Sequence, residues 1–574
     1  MSQIHWVNPL SGSFTNTADW AGGVVPGAQD DAVLNAAGTA FTVTSGVSET
    51  VTGIQLGANA TLAITGGTFI ATAGTDGGEN AGSIAVGDGA TLAIGGEFNN
   101  AGTVSLRSVS NPADLVVTSN TTLDGGGTVS LSGGTVTMEG GLDSQILGPP
   151  VGHASLVNIN ETISGSGNIA SGASGVLKLV NRRGGIIESI GGELYIGSTS
   201  VSSSIINHGV IESTPGTVFR IQNMTLSGAH GKLVVDAGGG MGLADCSISQ
   251  QSVTIGYGGV LGLNGNSEIN LSGVIHNSGL FANFNYTAAG IVLTNSTTLK
   301  GGGTLDLGEN STLSATGVVL TNVDNTIVGR GLVSGAGFQL INETAGVVDA
   351  YYAVGTLVIG QGDATIVNAG LIETTGSGRL TLDGTISNSG TIAADAGTLI
   401  ISGPLTGNGA VSIDGGTLDF TGAFSGSVAF KGKSGVLELA DSQTYGGTVS
   451  GFSTTGHTRL YLVDIAHTGM SQATFSGTST GGILTVTDGT HTAHIAMAGD
   501  YLGLTFVTYG VPGGKGVSVV TQTPTATVFP GPSVPAFAAI MAGHGADSSG
   551  PAYVGTFIGH ADALILAAPR NAVA

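Results

Sequence analysis

The chain has 574 residues, of which 102 are glycine, and only 9% of them are Asp, Glu, Lys or Arg. So few charges exclude helices laced with Glu–Lys pairs, and a mean hydropathy of +0.35 excludes a disordered chain, because enough apolar surface is present to offset the entropy of ordering. With 37 acidic residues against 14 basic ones the formal charge is −23, which excludes nucleic acid as a partner, since that needs clustered Lys and Arg to displace counterions.

Residues 1–45 read as an N-terminal cap with the first strands. Both tryptophans, Trp6 and Trp20, lie in WVNPLSGSFTNTADWAGGVVPGAQDDAVL. Two large aromatics at one end of a stacked structure shield the open end of its core. Asp30 and Asp31 are adjacent, so in a strand they face opposite ways and are poorly placed to share a calcium ion.

Residues 46–440 are dominated by internal repetition, which predicts an all-β parallel β-helix, or β-solenoid. TTLDGGGTVSL at 121–131 returns as TTLKGGGTLDL at 297–307, identical at eight of eleven positions. NINETISGSGNI from Asn158 is matched by NVDNTIVGRGLV from Asn322, and INHGVIE from Ile206 by VNAGLIE from Val367. A shorter unit sits inside these copies: an apolar pair, Asn, a small or polar residue, Gly, and another apolar pair. It recurs at Asn100, Asn207, Asn277, Asn368 and Asn388. Short alternating segments such as Thr61-Leu62-Ala63-Ile64 supply strands, and the Asn and Gly residues supply corners by tolerating left-handed backbone. Asn side chains on successive coils are then expected to bond along a ladder, which makes them structural.

Residues 441–520 form a small C-terminal β module, and 521–574 a Pro/Ala-rich tail containing TQTPTATVFPGPSVPAF and a candidate export signal. The opening Trp/Asn/Asp-Trp, Gly-Gly, Val-Pro-Gly-Ala and Asp-Asp pattern resembles rung openings in large bacterial adhesin-like β-strand-repeat proteins. The block from Gly447 to Val520, with GTVSGF and ATFSGTSTGGILTVTDGTHTAHIAMAGDY, resembles a module found in such proteins. The resemblance covers about the first 40 residues and this block. It implies a secreted protein, extracellular or at the cell surface of a bacterium, leaving by type I secretion. The calcium-binding nonapeptide pattern that accompanies such modules is missing, so no cofactor is expected. MSQIHWVNPL lacks the charged and apolar regions of a conventional signal peptide, so if exported the chain uses a leaderless route, or its start has been trimmed or mis-assigned. No apolar run reaches the roughly 18 residues of a membrane-spanning helix.

The single cysteine, Cys246, excludes an intrachain disulfide and a Cys-based zinc site. A catalytic β-helix needs carboxylates facing one another across a groove, or a metal-held acid beside a basic residue. Arg182, Arg183, Glu188 and Glu193 are the best local cluster for that, and His491 and His494 form an H-x2-H pair whose members face opposite sides of a strand. Neither supports catalysis, so the chain is expected not to be an enzyme. The leading expectation is adhesion to a host or neighbouring cell surface, matrix component or glycan. A self-associating scaffold of the cell surface or biofilm comes next, and a polysaccharide lyase or hydrolase after that.

Overall fold

A computed structural model describes residues 2–72, 78–133, 143–171, 174–197, 203–283, 289–511 and 515–522. The tail expected to carry an export signal lies outside these residues from position 523 onward. The described chain is all-β, a parallel solenoid of about 18 turns with non-solenoid regions before and after it.

Its repeat follows from the pairing. Val218–Gln222 pairs in parallel with Gly240–Ala244, Met224–Ser227 with Ser247–Ile248, and Gly231–Val235 with Gln251–Ile255. Each strand therefore meets the strand three places later, and one coil contributes one strand to each of three ladders. We call these face A (the ladder through Met224–Ser227), face B (through Gly231–Val235) and face C (through Gly240–Ala244).

Alternation within each strand sends every second residue inward. On face C, Ile327, Val348, Ile372, Ile392 and Val411 stack in register from coil to coil, all buried. Burial of one such side chain contributes about 1.5–3 kcal/mol over leaving it exposed. Ordering the backbone costs about 1–2 kcal/mol per residue, so a coil holds its shape only against its neighbours.

The corners carry two rows of buried asparagines. Between faces A and B, Asn80 Nδ2 donates to Asn100 Oδ1 (2.7 Å), Asn158 to Asn181 (3.0 Å), Asn181 to Asn207 (2.9 Å), and Asn207 to Gln251 Oε1 (2.8 Å). Between faces B and C, Asn277 donates to Asn325 (2.9 Å), Asn322 to Asn342 (2.9 Å), Asn342 to Asn368 (2.9 Å) and Asn368 to Asn388 (2.8 Å).

The reason for glycine at these corners differs from the expected one. Neither the five Asn residues of the repeated unit nor the Gly two places after each has a left-handed backbone. Space is what forbids a side chain there. A Cβ on Gly102 would stand 2.1 Å from the Gly82 carbonyl oxygen. On Gly209, Gly279, Gly370 or Gly390 it would stand 2.2 Å from the carbonyl oxygen of Gly185, Gly259, Gly346 or Gly370, respectively. Corner glycines thus rest directly on the backbone of the coil before.

Parallel pairing begins at once, with Ser2–His5 beside Asp30–Leu34. Trp6 and Trp20 meet edge to face with ring centroids 5.0 Å apart, Trp20 packs on Phe14 at 5.0 Å, and Phe14 packs on Phe69 at 5.2 Å. The two tryptophans are 2% exposed, so the aromatic group is continuous with the core. At the other end, Ala473–Thr478, Gly481–Thr487 and Thr492–Ala498 form an antiparallel sheet, and Thr505–Gly510 pairs antiparallel with Val517–Gln522. Val517 to Val519 close face A antiparallel to Leu460–Leu462, and Ala496 to Ala498 extend face C in parallel from Thr448–Ser450. Face B is left open: Leu405–Thr406 pairs only with the strand of Ile386 and Ser387 among the described residues.

Two substitutions test this account. Gly370→Ala, which forces a methyl against a backbone carbonyl, is expected to cost about 1–3 kcal/mol, whereas Gly422→Ala, with nothing within 4 Å, shifts stability by less than about 0.5 kcal/mol. Asn342→Ala leaves the Asn322 amide without its forward acceptor and is expected to cost about 1–3 kcal/mol. Thermal and urea unfolding, with hydrogen exchange at neighbouring coils, measure both.

Candidate functional site

The sequence-predicted residues do not converge on a reactive centre. Asn100, Asn207, Asn277, Asn368 and Asn388 are at most 2% exposed and belong to the corner rows, and Trp6 and Trp20 to the aromatic group at the start. Arg182 and Arg183 sit at a corner between faces A and B, Glu188 on face B and Glu193 on face C, so that cluster divides among three places. His491 Nδ1 lies 3.0 Å from Asp488 Oδ2, while His494 Nδ1 lies 3.2 Å from Thr485 Oγ1. Asp30 is bonded by the Ser2 hydroxyl and the Gly27 amide at the surface, and Asp31 is buried. Burial pushes the Cys246 thiol up to about 11, which leaves it inert. No helix among the described residues is long and apolar enough to cross a membrane, and no group of three or more His, Cys, Asp or Glu among them could hold a metal ion.

A different feature stands out on face C. Its outward column reads Tyr195, Arg220, Gly242, Gly262, Ala282, Asp306 on successive coils. Between the arginine and the aspartate this column holds nothing larger than a methyl group; Gly242 is half-buried, and Gly262 and Ala282 are buried. At about 4.8 Å per coil, Arg220 and Asp306 stand about 19 Å apart along the axis. A cavity of about 420 Å3 opens over the first part of this stretch, between Val218, Arg220, Gln222, Gly240, Gly242 and Asn264.

Glycine is not required there by the fold. Gly242 has no left-handed backbone, and a Cβ on it would meet only Arg220 Cγ at 3.8 Å, an ordinary contact. A Cβ on Gly240 would likewise have its nearest neighbours at 3.7 Å. Glycine in a strand interior often marks a bulge, a tight bend or a close approach of a ligand or another backbone, and the register here carries no bulge.

The column has polar ends, of which only the Arg220 end lines the cavity. Arg220 Nε is 2.9 Å from Glu193 Oε1, which fixes the guanidinium while leaving its side chain 43% exposed. At the far end the Tyr352 hydroxyl donates to Asp306 Oδ2 (2.5 Å), and the Arg330 guanidinium lies 4.9 Å from the centre of the Tyr352 ring and 3.4 Å from Glu309. Burial holds the Asp306 carboxyl above the usual range, opposed by the Tyr352 hydroxyl and Arg330. Tyr257, 81% exposed, stands on the corner leading into Val260–Asn264, with glycine on both sides. An aromatic ring held in water is a ready platform for an apolar ligand face.

These residues were not singled out from the sequence. The signal was present in GMGLA at 240–244 and VLGLN at 260–264, where period two places Gly240, Gly242 and Gly262 outward, but the glycine-rich background hid it.

On face B, Glu188 and Glu212 are in-register neighbours, and burial, then the charge of Asp236 and a hydrogen bond with it, then Glu188, raise the Glu212 carboxyl to about 7. The folded chain therefore holds a proton between the ordinary value of 4.5 and about 7 that the unfolded chain releases. Stability contributed by this group falls as pH rises across that window. Glu212→Gln is expected to raise the melting temperature above pH 7 and to leave it unchanged below pH 4.5, as a pH series of thermal scans measures.

Compared with models of known protein families and with curated proteins, the chain matches none.

Proposed function

We propose that the chain is an exported adhesion protein, extracellular or displayed at a bacterial surface, that holds an extended glycan along the trough of face C. The bare backbone of Gly240, Gly242 and Gly262 beneath an open cavity carries this reading. A flexible chain of hydroxyl-bearing rings lies close on a floor without side chains, while Arg220, Gln222 and Asn264 offer donors and acceptors at its edge. Tyr257 holds an exposed aromatic ring on the corner that leads into the Val260–Asn264 strand. A strongly acidic protein repels polyanions, so the glycan is neutral or weakly charged. Export and surface display are supported by the likeness of the opening and of the Gly447–Val520 block to adhesin-like strand-repeat proteins.

Binding without cleavage is part of the proposal. Glycosidic hydrolysis needs two carboxyl groups flanking the bond. Asp306 stands at the far end of the column, and its neighbours there are Ala282 and Val328. The reading as a self-assembling scaffold predicts concentration-dependent association that a soluble glycan leaves unchanged.

Gly242→Trp, which fills the trough, is expected to weaken binding of neutral oligosaccharides at least about tenfold and to leave the melting temperature within a few degrees of the parent. Glycan-array binding followed by titration calorimetry measures this. Undiminished binding by the variant sinks the trough as the site, and release of reducing sugar by the parent protein sinks the claim that it only binds.

A further inference from the structure

The first six coils of face B, from Phe41–Ser45 to Thr162–Ala170, differ from the rest of that face, which they join through Ile186 and Val210. Their pairing puts Thr42, Thr61, Ser83, Thr103, Thr128 and Thr162 in one outward column. The column two residues further along, from Thr44 to Ser164, reads Thr, Ala, Ala, Ser, Ser, Ser in the same registers. Ten of these twelve positions carry a hydroxyl, and all but Ser164 are exposed or half-buried. Arg107, the one charge in these six strands, lies two residues beyond the second column. The registers hold no bulge, so the two columns run straight and level. They end abruptly, since the next coil places Ile186 and Glu188 in them.

The protein leaves these hydroxyls unspent. Among the described residues only Ser105 Oγ bonds within the chain, to the Ile84 carbonyl at 3.5 Å. Threonines elsewhere on the coils do turn back on the backbone: Thr65, Thr118 and Thr406 donate to the carbonyls of Ser45, Ile94 and Ile386 at 2.9–3.3 Å. The array thus offers solvent a regular set of donors and acceptors. A flat, uncharged surface neither encloses a small molecule nor draws a polyelectrolyte. Water in its ordered form fits it. Two O–H···O bonds of about 2.75 Å meeting at the tetrahedral angle put next-nearest oxygens of ice about 4.5 Å apart. Successive coils put the hydroxyls about 4.8 Å apart, so five steps along the axis accumulate a mismatch of only about 1.5 Å. Methyl groups of Thr and Ala between the hydroxyls ease the removal of liquid water from the face.

We propose that the hydroxyl array on the first six coils of face B binds the surface of ice, its Thr and Ser hydroxyls taking the places of lattice oxygens. The array and the trough lie on different faces and different coils, so each stands or falls without the other.

Two measurements on the full chain test this: growth of a single seeded ice crystal held just below its melting point, and uptake of protein from dilute solution into slowly growing ice. Faceting or arrest of the crystal and enrichment of the protein in ice are expected. Thr103→Lys and Thr61→Lys, outward substitutions within the array, remove both effects while the unfolding temperature stays within a few degrees of the parent. Thr254→Lys, an exposed outward position on the same face beyond the array, leaves both unchanged, as does Gly242→Trp. The proposal is overturned if the parent neither shapes ice nor enters it, if Thr103→Lys and Thr61→Lys retain both effects, or if Thr254→Lys loses them. Dimers in sedimentation that Thr103→Lys dissociates would give the face to a second copy of the chain and overturn it as well.

Discussion

Contact between the corner glycine of one coil and a corner carbonyl of the coil before is the constraint on which everything else in this chain depends. It admits no side chain, so it fixes how near the coils approach and repeats the same backbone path at each step. Only on that repeated path do the Asn amides lie one above another at 2.7–3.0 Å and the inward Ile, Leu and Val residues form unbroken rows. Sheet hydrogen bonding sets a spacing near 4.8 Å in any parallel ladder. At the corners, where ladders stop, the glycines preserve that spacing.

Much of this was legible in the sequence, though not always for the right cause. Near-copies of an Asn- and Gly-containing segment announce stacked parallel strands, and the period-two patterning of segments such as Thr365–Asn368 announces which residues point inward. For the glycines of the repeated Asn unit the assigned cause was conformational and the structure makes it steric, because a propensity acts within one coil whereas the clash is with another about twenty residues away; at other corners, such as Gly238 and Gly317, the left-handed backbone is present as expected. Which face a segment joins is also invisible locally. Asn158 and Asn207 turn from face A to face B, while their counterparts Asn322 and Asn368 turn from face B to face C. The candidate site was hidden for a related reason: Gly242, Gly262 and Ala282 are about twenty residues apart in sequence and form a floor only when stacked.

Inward and outward residues divide the work. Inward positions are held by packing and leave little freedom, while each outward position is free to be bare, charged or aromatic without cost to the stack. The trough uses that freedom by omission, since its floor consists of side chains that are not there. The three faces also stop differently: face A meets an antiparallel strand, face C gains a further parallel one, and face B ends with neither. Such unequal endings leave a hollow beside the last asparagine of a row that is otherwise closed on itself.

That one segment serves equally well on different pairs of faces has a consequence for how such a chain varies. Loss or gain of a single strand-and-corner unit keeps the stacking intact but turns every later side chain by a third of a revolution about the axis. Like a frameshift, a change in one place re-addresses all that follows. Surfaces that now lie along one line would be dealt out onto different sides, and only changes in whole coils would keep Arg220 and Asp306 facing the same way.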